Sequence, residues 1–456
     1  MNLRHKRNLL GLGVGLLLFF IGTYGSLATG SKEEISEEGL QELFNMVRYQ
    51  LRNEYVDPIS NQEIMFGAIR GMLQALDDPH TRFMTPDEYN ELQVETRGNF
   101  GGLGIEVSIR DNVLTVISPI EDTPAYRAGI KPNDKIIEIN KRPTRDMTLT
   151  EAVKLLRGTP GTSVNISVVR EGEDEVLYFD IVREIIKIQV VNSEILEGNI
   201  GYVRLKQFSN TAPDDLKKVL QNLLNKKVKG IILDLRWNPG GLLDAAVKVA
   251  NFFIKEGEIV STRGRRSELD RVFRANPRDA IVPDLPLIVL ANEGSASASE
   301  IVTGAVKDHK RGLFIGTKTF GKGSVQNVIP LMYNTAMAIT IQKYYTPAGH
   351  SIHKTGIKPD IEVQPLDFTR EDRRHYREIR EKNIVQDFVK QHPLYNNESI
   401  AKFKKLIESK GLGLSDYALR RTLREEYDKN KMRPVVDLEF DVQLQRAISE
   451  MKKRIS

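Results

Sequence analysis

The sequence predicts a multidomain protein that joins α+β portions to an α/β portion. A chain of 456 residues is too long for one ordinary hydrophobic core, so two to four domains are expected. Between residues 99 and 185 the apolar residues form short strand-like runs with one helix, whereas over residues 186–365 continuous apolar strands alternate with helices. The pattern therefore predicts a β-rich domain and an α/β core, flanked by helical regions at 31–98 and 366–456.

The composition indicates a folded, globular protein and excludes several kinds of site. Hydrophobic residues make up 40% of the chain and charged residues 28%. The net charge of +5 gives little support for nucleic-acid binding, which needs a concentrated basic surface. The chain has no cysteine, so disulfides, thiolate ligands and cysteine nucleophiles are excluded. The sequence also lacks an HExxH motif and clustered carboxylates, and we expect neither a metal nor another cofactor.

Residues 1–30 predict a membrane segment or a secretion signal. Three basic residues precede an uncharged stretch from Leu9 to Ala28, whose 20 residues would rise about 30 Å as a helix and so could cross a bilayer. The basic flank predicts that the bulk of the chain lies outside the cytoplasm. The length of the stretch favours a retained anchor, while the small residues of Ser26–Ala28 fit a cleaved signal. We therefore expect a cell-envelope protein on the periplasmic or extracytoplasmic side, either membrane-anchored or secreted.

Residues 37–76 predict helices, because apolar residues recur at steps of three and four. Leu40, Leu43 and Val47 belong to this pattern. The pattern ends in the turn Asp77–Thr81. His80 in this turn has the residue type of a catalytic base, but its context favours a structural role.

The β-rich domain contains a Gly-Leu-Gly loop before its first strand and one amphipathic helix, Thr148–Leu156. This order of strands and helix resembles a PDZ domain of the bacterial, circularly permuted kind. The resemblance implies that backbone N–H groups of the loop bind the terminal carboxylate of a peptide, which adds as a strand between the edge strand and the helix. A basic residue at the end of the helix would either transmit the binding of a peptide to the core or only stabilise the helix dipole. The predicted tail-binding residues are Gly102, Leu103, Gly104, Ile105 and Arg157.

The strongest functional signal is Ser297, in a small-residue run from Asn292 to Glu300 between strand-like and helix-like stretches. A serine nucleophile needs a base, and Lys322, flanked by glycines and near apolar residues, can serve if burial makes it neutral. The run, the spacing to the lysine and Gln326 four residues further on resemble the carboxy-terminal processing, or tail-specific, serine peptidases. The resemblance extends from about Glu38 to Pro365.

This resemblance implies a Ser297–Lys322 dyad supported by Gln326, in a crotonase-like α/β peptidase core over residues 186–365. The expected oxyanion donors are the backbone N–H groups of Ala298, Gly240 and Gly241. They lie at a helix start, where the dipole favours negative charge, and in a turn after a buried strand, where open α/β sheets usually place their sites.

Other readings of the site stay open from the sequence. Ser295 and Ser299 are rival nucleophiles on the same run. A Ser-His-Asp triad could use His309, His350 or His353, although His309 lies among charged residues and reads as exposed, and His350 stands where the family commonly has arginine. An inactive, membrane-tethered PDZ scaffold is the alternative from another functional class, and the intact serine, lysine and glutamine set disfavours it.

The prediction as a whole is an extracytoplasmic serine endopeptidase that recognises protein C-terminal tails through its PDZ domain and cleaves peptide bonds. The charged helices expected over residues 366–456 would dimerise or dock a partner. Expected partners are protein substrates, the membrane through residues 1–30, an adaptor protein and a second copy of the chain, with no nucleic acid.

Overall fold

The computed structural model describes residues 35–456, except residues 430, 432 and 433. The chain divides into two compact units, one ending at Asp77 and the other spanning Asp78–Ser456. The predicted membrane segment lies outside the described residues. Within the part of the chain that is described, no helix combines the length and the apolar character needed to cross a membrane.

The described part of the first unit contains two helices, as the apolar spacing predicts: α1 (Glu37–Glu54) and α2 (Asn61–Gln74). Helix α2 begins at a capping box, in which Ser60 Oγ accepts from the Glu63 N–H at 3.1 Å and the Ser60 N–H donates to Glu63 Oε2 at 2.9 Å. No residue of α1 is buried.

The second unit opens with strand β1 (Arg82–Met84) and helix α3 (Pro86–Arg97). A capping box of Thr85 with Glu88 and the proline at the first helical position start α3. Gly98, with a φ of 74°, ends it in the left-handed conformation that glycine adopts without strain.

The β-rich domain follows directly. Its elements are β2 (Asn99–Gly102), β3 (Ile105–Arg110), β4 (Val113–Pro119), α4 (Pro124–Arg127), β5 (Lys135–Ile139), β6 (Arg142–Pro143), α5 (Leu149–Leu156), β7 (Ser163–Val169), β8 (Leu177–Val182) and β9 (Glu184–Lys187). The main antiparallel sheet has the order β3-β4-β5-β7-β8, so β3 is an edge strand, and β2 pairs separately with β9. Helix α5 closes the hydrophobic core through Ala152 and Leu156, which pack with buried strand residues such as Ile136 and Ile166.

The α/β core and the C-terminal helices complete the chain. The core elements are β10 (Val191–Leu196), β11 (Ile200–Leu205), α6 (Ala212–Asn225), β12 (Gly230–Asp234), α7 (Leu243–Phe253), β13 (Glu258–Gly264), β14 (Arg271–Arg274), β15 (Leu287–Ala291), α8 (Ala298–Asp308), β16 (Leu313–Gly316), β17 (Ser324–Pro330), β18 (Ala336–Tyr345) and β19 (Ile361–Glu362). The C-terminal helices are α9 (Arg370–Glu381), α10 (Ile384–Gln391), α11 (Asn397–Ser409), α12 (Asp416–Tyr427) and α13 (Val442–Ile455).

The main sheet of the core has the order β10-β11-β12-β15-β16-β19, parallel except for β10. Its strands are apolar on both faces. Ile231 and Leu233 pack with helices α6 to α8, while Ile232 packs with Leu444 and Met451 of α13. Helix α13 therefore covers the second face of this sheet, although the sequence groups it with the C-terminal helices. Helices α9 to α12 have a separate core of their own.

A second, antiparallel sheet has the order β1-β18-β13-β14, with β17 also paired to β18. The register places Arg82 opposite Ala338 and Met84 opposite Ala336. This pairing brings the turn before β1 next to the β17–β18 hairpin. The hairpin directly follows the segment that contains Lys322.

Candidate active site

Ser297 connects the end of β15 to the start of α8. Its backbone has a φ of 54° and a ψ of −113°, a conformation that non-glycine residues rarely adopt and that must be held by the surroundings. The residue is buried, and its side chain interacts with the phenol of Tyr344. Burial raises the pKa of Tyr344 to about 12, so the phenol beside Ser297 is neutral at neutral pH.

The two rival serines of the run are committed to structural hydrogen bonds. Ser295 Oγ donates to the Leu235 carbonyl at 2.8 Å, and Ser299 Oγ donates to the Asn238 carbonyl at 2.9 Å. Both side chains are completely buried. Their hydroxyls hold the serine run against the chain that leaves β12, which distinguishes them from Ser297.

The turn Asn238–Gly241 lies against the serine. Asn238 Nδ2 donates to the Leu205 carbonyl at 2.8 Å, and the Asn238 carbonyl accepts from the Ala296 N–H at 3.0 Å. Gly240 has a φ of 104°, and a Cβ there would come within 2.8 Å of the Ser297 Cβ. The close approach of the turn to Ser297 therefore requires glycine at this position.

Two of the three predicted oxyanion donors have free N–H groups. The Gly240 N–H donates to Asn238 Oδ1 at 2.9 Å, so this group stabilises the turn itself. Among residues 35–456 as described, no hydrogen bond is recorded from the N–H of Gly241 or of Ala298. A Cβ on Gly240 would lie 3.0 Å from the Ala298 nitrogen, which shows how near the turn comes to the helix start.

Glu300 links the serine run to the lysine segment. Its Oε2 accepts from the Ser297 N–H at 2.9 Å and from the Lys322 N–H at 2.8 Å. Its Oε1 accepts from Thr319 Oγ1 at 2.6 Å and from the Gly321 N–H at 2.7 Å. Burial raises the pKa of this completely enclosed carboxyl, while the four donors favour its ionised form.

Lys322 lies in the loop between β16 and β17, half-buried. Burial, followed by the positive charge of Arg82, holds the pKa of its amine below the ordinary 10.5, and the carboxylates of Asp78 and Glu300 act in the opposite direction. The structure records no hydrogen bond between the amine and Ser297 or Gln326 within its described residues. The lowered pKa is the property that a lysine base requires.

Gln326, on β17, belongs to a polar network that reaches the turn before β1. Its Nε2 donates to Ser324 Oγ at 2.7 Å and to Thr340 Oγ1 at 3.3 Å. The Thr340 side chain also hydrogen-bonds to Asp78, whose carboxylate accepts from Thr81 Oγ1 at 2.7 Å. Burial alone would raise the pKa of Asp78, but the hydrogen bonds from Thr340, Thr81 and His80 lower it overall.

The histidines lie at different places around this site. His309 is half-buried, not exposed as expected, and its Nε2 interacts with the Glu258 carbonyl at 2.6 Å. His80, expected to be structural only, lies close enough to Lys322 that burial and then the lysine charge lower its pKa. Nδ1 of His353 is buried without a hydrogen-bond partner in the described part of the chain. His350 is exposed.

The predicted tail-binding loop lies before edge strand β3. Leu103 is buried, and Gly104 has a φ of 78°, where a Cβ would clash with Thr123 at 2.3 Å. Within the described ranges no hydrogen bond is recorded from the N–H of Leu103 or Gly104. Ile105 begins β3, next to α5. The loop therefore has free backbone donors at the end of an open strand edge.

Arg157 follows the last residue of α5. Its guanidinium lies 4.7 Å from the centre of the Phe100 ring and 3.6 Å from Glu91 Oε1 on α3. The carbonyls at the end of α5 are instead satisfied by Arg183, which donates to Leu155 and Leu156. Arg157 thus contacts elements outside its own helix, and the dipole-stabilising reading does not account for all of its contacts.

Comparisons with known proteins match three segments of the chain to described families. Residues 199–363 match the model of peptidase family S41, residues 115–170 a PDZ domain, and residues 26–88 the activating protease CtpB N-terminal domain. The chain is 46% identical over 328 residues to the carboxy-terminal-processing protease of Bartonella bacilliformis, covering 71% of this chain and 75% of that protein.

Two further relatives have similar coverage. The carboxyl-terminal-processing protease of Synechocystis sp. is 37% identical over 370 residues, covering 77% of this chain and 86% of the relative. The carboxy-terminal processing protease CtpA of Bacillus subtilis is 33% identical over 355 residues, covering 78% and 75%.

The chain belongs to peptidase family S41. It is a serine peptidase with a PDZ domain, and the family assignment made from the serine run, the lysine spacing and the glutamine is confirmed. Membership in a family of active proteases favours the enzyme over the inactive scaffold.

Sequence reasoning missed two parts of this candidate site. Glu300 had a local signal, because it stands three residues after Ser297 at the position of a capping-box glutamate. The segment from Asp78 to Arg82 had no such signal for its nearness to Lys322, because it reaches the site only through the pairing of β1 with β18.

Proposed function

We propose that Ser297 is the nucleophile and Lys322 the general base of a Ser-Lys endopeptidase that captures protein substrates by their C-terminal tails. The observation that carries the proposal is the Glu300 carboxylate, which binds the backbone of both residues and so fixes the two segments against each other. The commitment of Ser295 and Ser299 to carbonyl acceptors leaves Ser297 as the hydroxyl of the run available for chemistry.

In the first chemical step, neutral Lys322 takes the proton of Ser297 Oγ as the oxygen attacks the substrate carbonyl. The negative charge that develops on the carbonyl oxygen is stabilised by the N–H groups of Gly241 and Ala298. Ala298 adds the positive end of the α8 dipole. Gly240 contributes by its shape, because its missing side chain lets the turn approach the serine.

Collapse of this intermediate breaks the peptide bond, and the protonated lysine gives its proton to the leaving amine. Water then attacks the acyl-serine with Lys322 again as the base, which releases the second product and restores the serine hydroxyl. Gln326 supports the lysine from β17, where Ser324 and Thr340 fix its amide. The direction of the Lys322 pKa shift, below the ordinary value, favours the neutral amine that this proton transfer requires.

Substrate capture uses the PDZ domain. The terminal carboxylate of a substrate binds the free N–H groups of Leu103 and Gly104, and the tail adds to the edge of β3 beside α5. Gly102 and Ile105 shape the two ends of this loop. Arg157, through Phe100 and Glu91, connects the end of α5 to β2 and α3. An occupied groove would thereby act on the segment that leads back to β1 and the lysine.

The proposal includes a location and further partners. The basic flank and uncharged stretch of residues 1–30 support an extracytoplasmic enzyme held at a membrane or secreted. An adaptor protein or a second copy of the chain would bind the C-terminal helical region. The accessibility of the protein to an added protease in intact spheroplasts tests its location. Light scattering of the purified protein measures its mass in solution and so tests whether two copies associate.

Hydrolysis of unfolded casein by the purified protein tests the catalytic assignment. Ser297→Ala and Lys322→Ala should each abolish cleavage to a similar extent, because members of one catalytic unit fail together. Both variants should keep the native circular dichroism spectrum. Equal casein cleavage by the native protein and Ser297→Ala would overturn the assignment, and full activity of Lys322→Ala would redirect the search to the histidines.

A second assay tests capture by the tail. Amidating the C-terminal carboxylate of a peptide substrate should raise its KM, because the loop N–H groups then face a neutral group. The matched control is the same peptide with a free carboxylate. An unchanged KM would remove the loop before β3 from the proposal while leaving the dyad untouched.

A further inference from the structure

Two large aromatic side chains beside the nucleophile segment are exposed to solvent. Trp237 and Phe320 are each 63% exposed. Trp237 directly precedes the turn Asn238–Gly241, and Phe320 directly precedes Gly321 of the lysine segment. Exposed aromatic surface contributes little to the stability of the fold, and its presence next to a reactive group indicates binding.

The indole of Trp237 is held in place by its backbone and by a glycine. The residue has a φ of 60°, which is strained for a bulky side chain, and its N–H donates to Asn292 Oδ1 at 2.9 Å. A Cβ on Gly294 would come within 2.4 Å of Cε3 of the ring. The six-membered ring thus lies on the main chain of Gly294, and the side chain otherwise faces solvent.

Phe320 is hydrogen-bonded to Ser295, the residue that follows Gly294. Its N–H donates to the Ser295 carbonyl at 3.1 Å, and the preceding Thr319 is bound to Glu300. Both aromatic residues are therefore attached to Gly294–Ser295, which leads directly to Ser297. A polypeptide bound at Ser297 would therefore lie near the main-chain segment to which both rings are attached.

We propose that Trp237 and Phe320 form a subsite that takes a large apolar side chain of the substrate, such as leucine, methionine or phenylalanine, next to the scissile bond. This subsite rests on the proposed role of Ser297. Burial of an apolar side chain against these rings removes apolar surface of both partners from water. A difference of one or two methylenes in such a subsite is worth roughly 10- to 200-fold in kcat/KM.

The contact of the ring with Gly294 also has a purely structural reading, in which Trp237 only stabilises the turn. The substitution Trp237→Asn separates the two, because asparagine tolerates a positive φ and removes the ring without adding backbone strain. Tyr333→Asn is a matched control. Tyr333 is an exposed aromatic residue with a φ of 57° at the tip of the β17–β18 hairpin, at the opposite end from Tyr344.

The first experiment maps the bonds cut in unfolded casein by mass spectrometry. The native protein should enrich large apolar residues on one side of the cleaved bonds, and Trp237→Asn and Phe320→Ser should lower that enrichment about tenfold. Tyr333→Asn should cut as the native protein does. Unchanged enrichment in Trp237→Asn and Phe320→Ser would overturn the subsite. Cleavage by Ser297→Ala would instead overturn the proposed function, so the two failures are distinguishable.

The second experiment measures binding without turnover. Trp237 is the chain's single tryptophan, so the emission of the Ser297→Ala protein, excited at wavelengths that its 14 tyrosines do not absorb, reports this ring alone. A ten-residue peptide with one central leucine should shift the emission to shorter wavelength, because the indole leaves water. The same peptide with central glycine should give a shift at least several-fold smaller. Equal responses to the two peptides, or no response to either, would overturn the proposal.

Discussion

Ser297 lies in an enclosed frame built by its own run and one neighbouring turn, whereas Lys322 is surrounded by side chains from distant parts of the chain. Ser295, Ser299 and Asn238 fasten the serine run through completely buried hydrogen bonds. The frame holds the Ser297 backbone in a conformation that a serine rarely adopts.

The lysine has a looser and more charged environment. Arg82 and Asp78 come from the turn before β1, and their charges act on the Lys322 pKa in opposite directions. Thr340, on β18, connects Asp78 to Gln326. The serine frame therefore fixes geometry, while the lysine surroundings set the proton affinity of the Lys322 amine. Glu300 is the residue that joins these two regions.

The largest effect is expected where the two regions meet. Glu300→Gln replaces one carboxylate oxygen by an NH2 group, which then faces two donors that it cannot accept from. Losing two buried hydrogen bonds should lower the free energy of unfolding by roughly 2–4 kcal/mol. Displacement of the serine and lysine segments should lower kcat on the order of 100-fold.

Urea unfolding and casein cleavage measure both quantities. The matched control is Glu293→Gln in the same loop, since Glu293 accepts one hydrogen bond from Thr317 Oγ1 at 2.7 Å. Native kcat in Glu300→Gln would mean that the two segments are held together by other contacts.

The same difference explains what could be predicted from the sequence. The serine run, α8 and the turn Asn238–Gly241 are continuous segments, so residue type and spacing were sufficient to identify them. The structure adds that the Gly240 N–H is used within the turn, a detail that depends on the rotation of one side chain, Asn238.

The lysine surroundings were not predictable in this way. Asp78 and Thr340 meet because β1 pairs with β18 in one register, and sequence patterns do not reveal the partner of a three-residue strand. The nearness of His80 to Lys322 depends on the same pairing. In the fold, the α/β core and the β-rich domain followed from periodicity, and the PDZ assignment of the β-rich domain followed from its resemblance. The packing of α13 on the second face of the sheet depends instead on tertiary contacts.

An intermediate effect is expected from the hydroxyl that connects Asp78 to Gln326. Thr340→Val keeps the side-chain shape but removes the acceptor of the Gln326 amide and the partner of the Asp78 carboxylate. The loss of about one to two hydrogen bonds should lower kcat about tenfold. Thr340→Ser retains the hydroxyl and should restore most of the native kcat, measured at saturating peptide. Equal kcat in the valine and serine variants would show that the network does not position Gln326.

The smallest change should be a displacement of the pH profile. Arg82 lowers the pKa of Lys322, so Arg82→Gln should raise that pKa and move the acid limb of kcat/KM to higher pH. Asp78 raises the lysine pKa, so Asp78→Asn should move the limb to lower pH, besides the loss in kcat that its broken hydrogen bonds cause. Arg82→Lys keeps the positive charge and should leave the limb near its native position. Arg82 is exposed, so added salt should shrink the displacement in Arg82→Gln. If the acid limb moved in the same direction in Arg82→Gln and in Asp78→Asn, these charges would not act on the group that titrates in catalysis. Lys322 would then lose its assignment as that group.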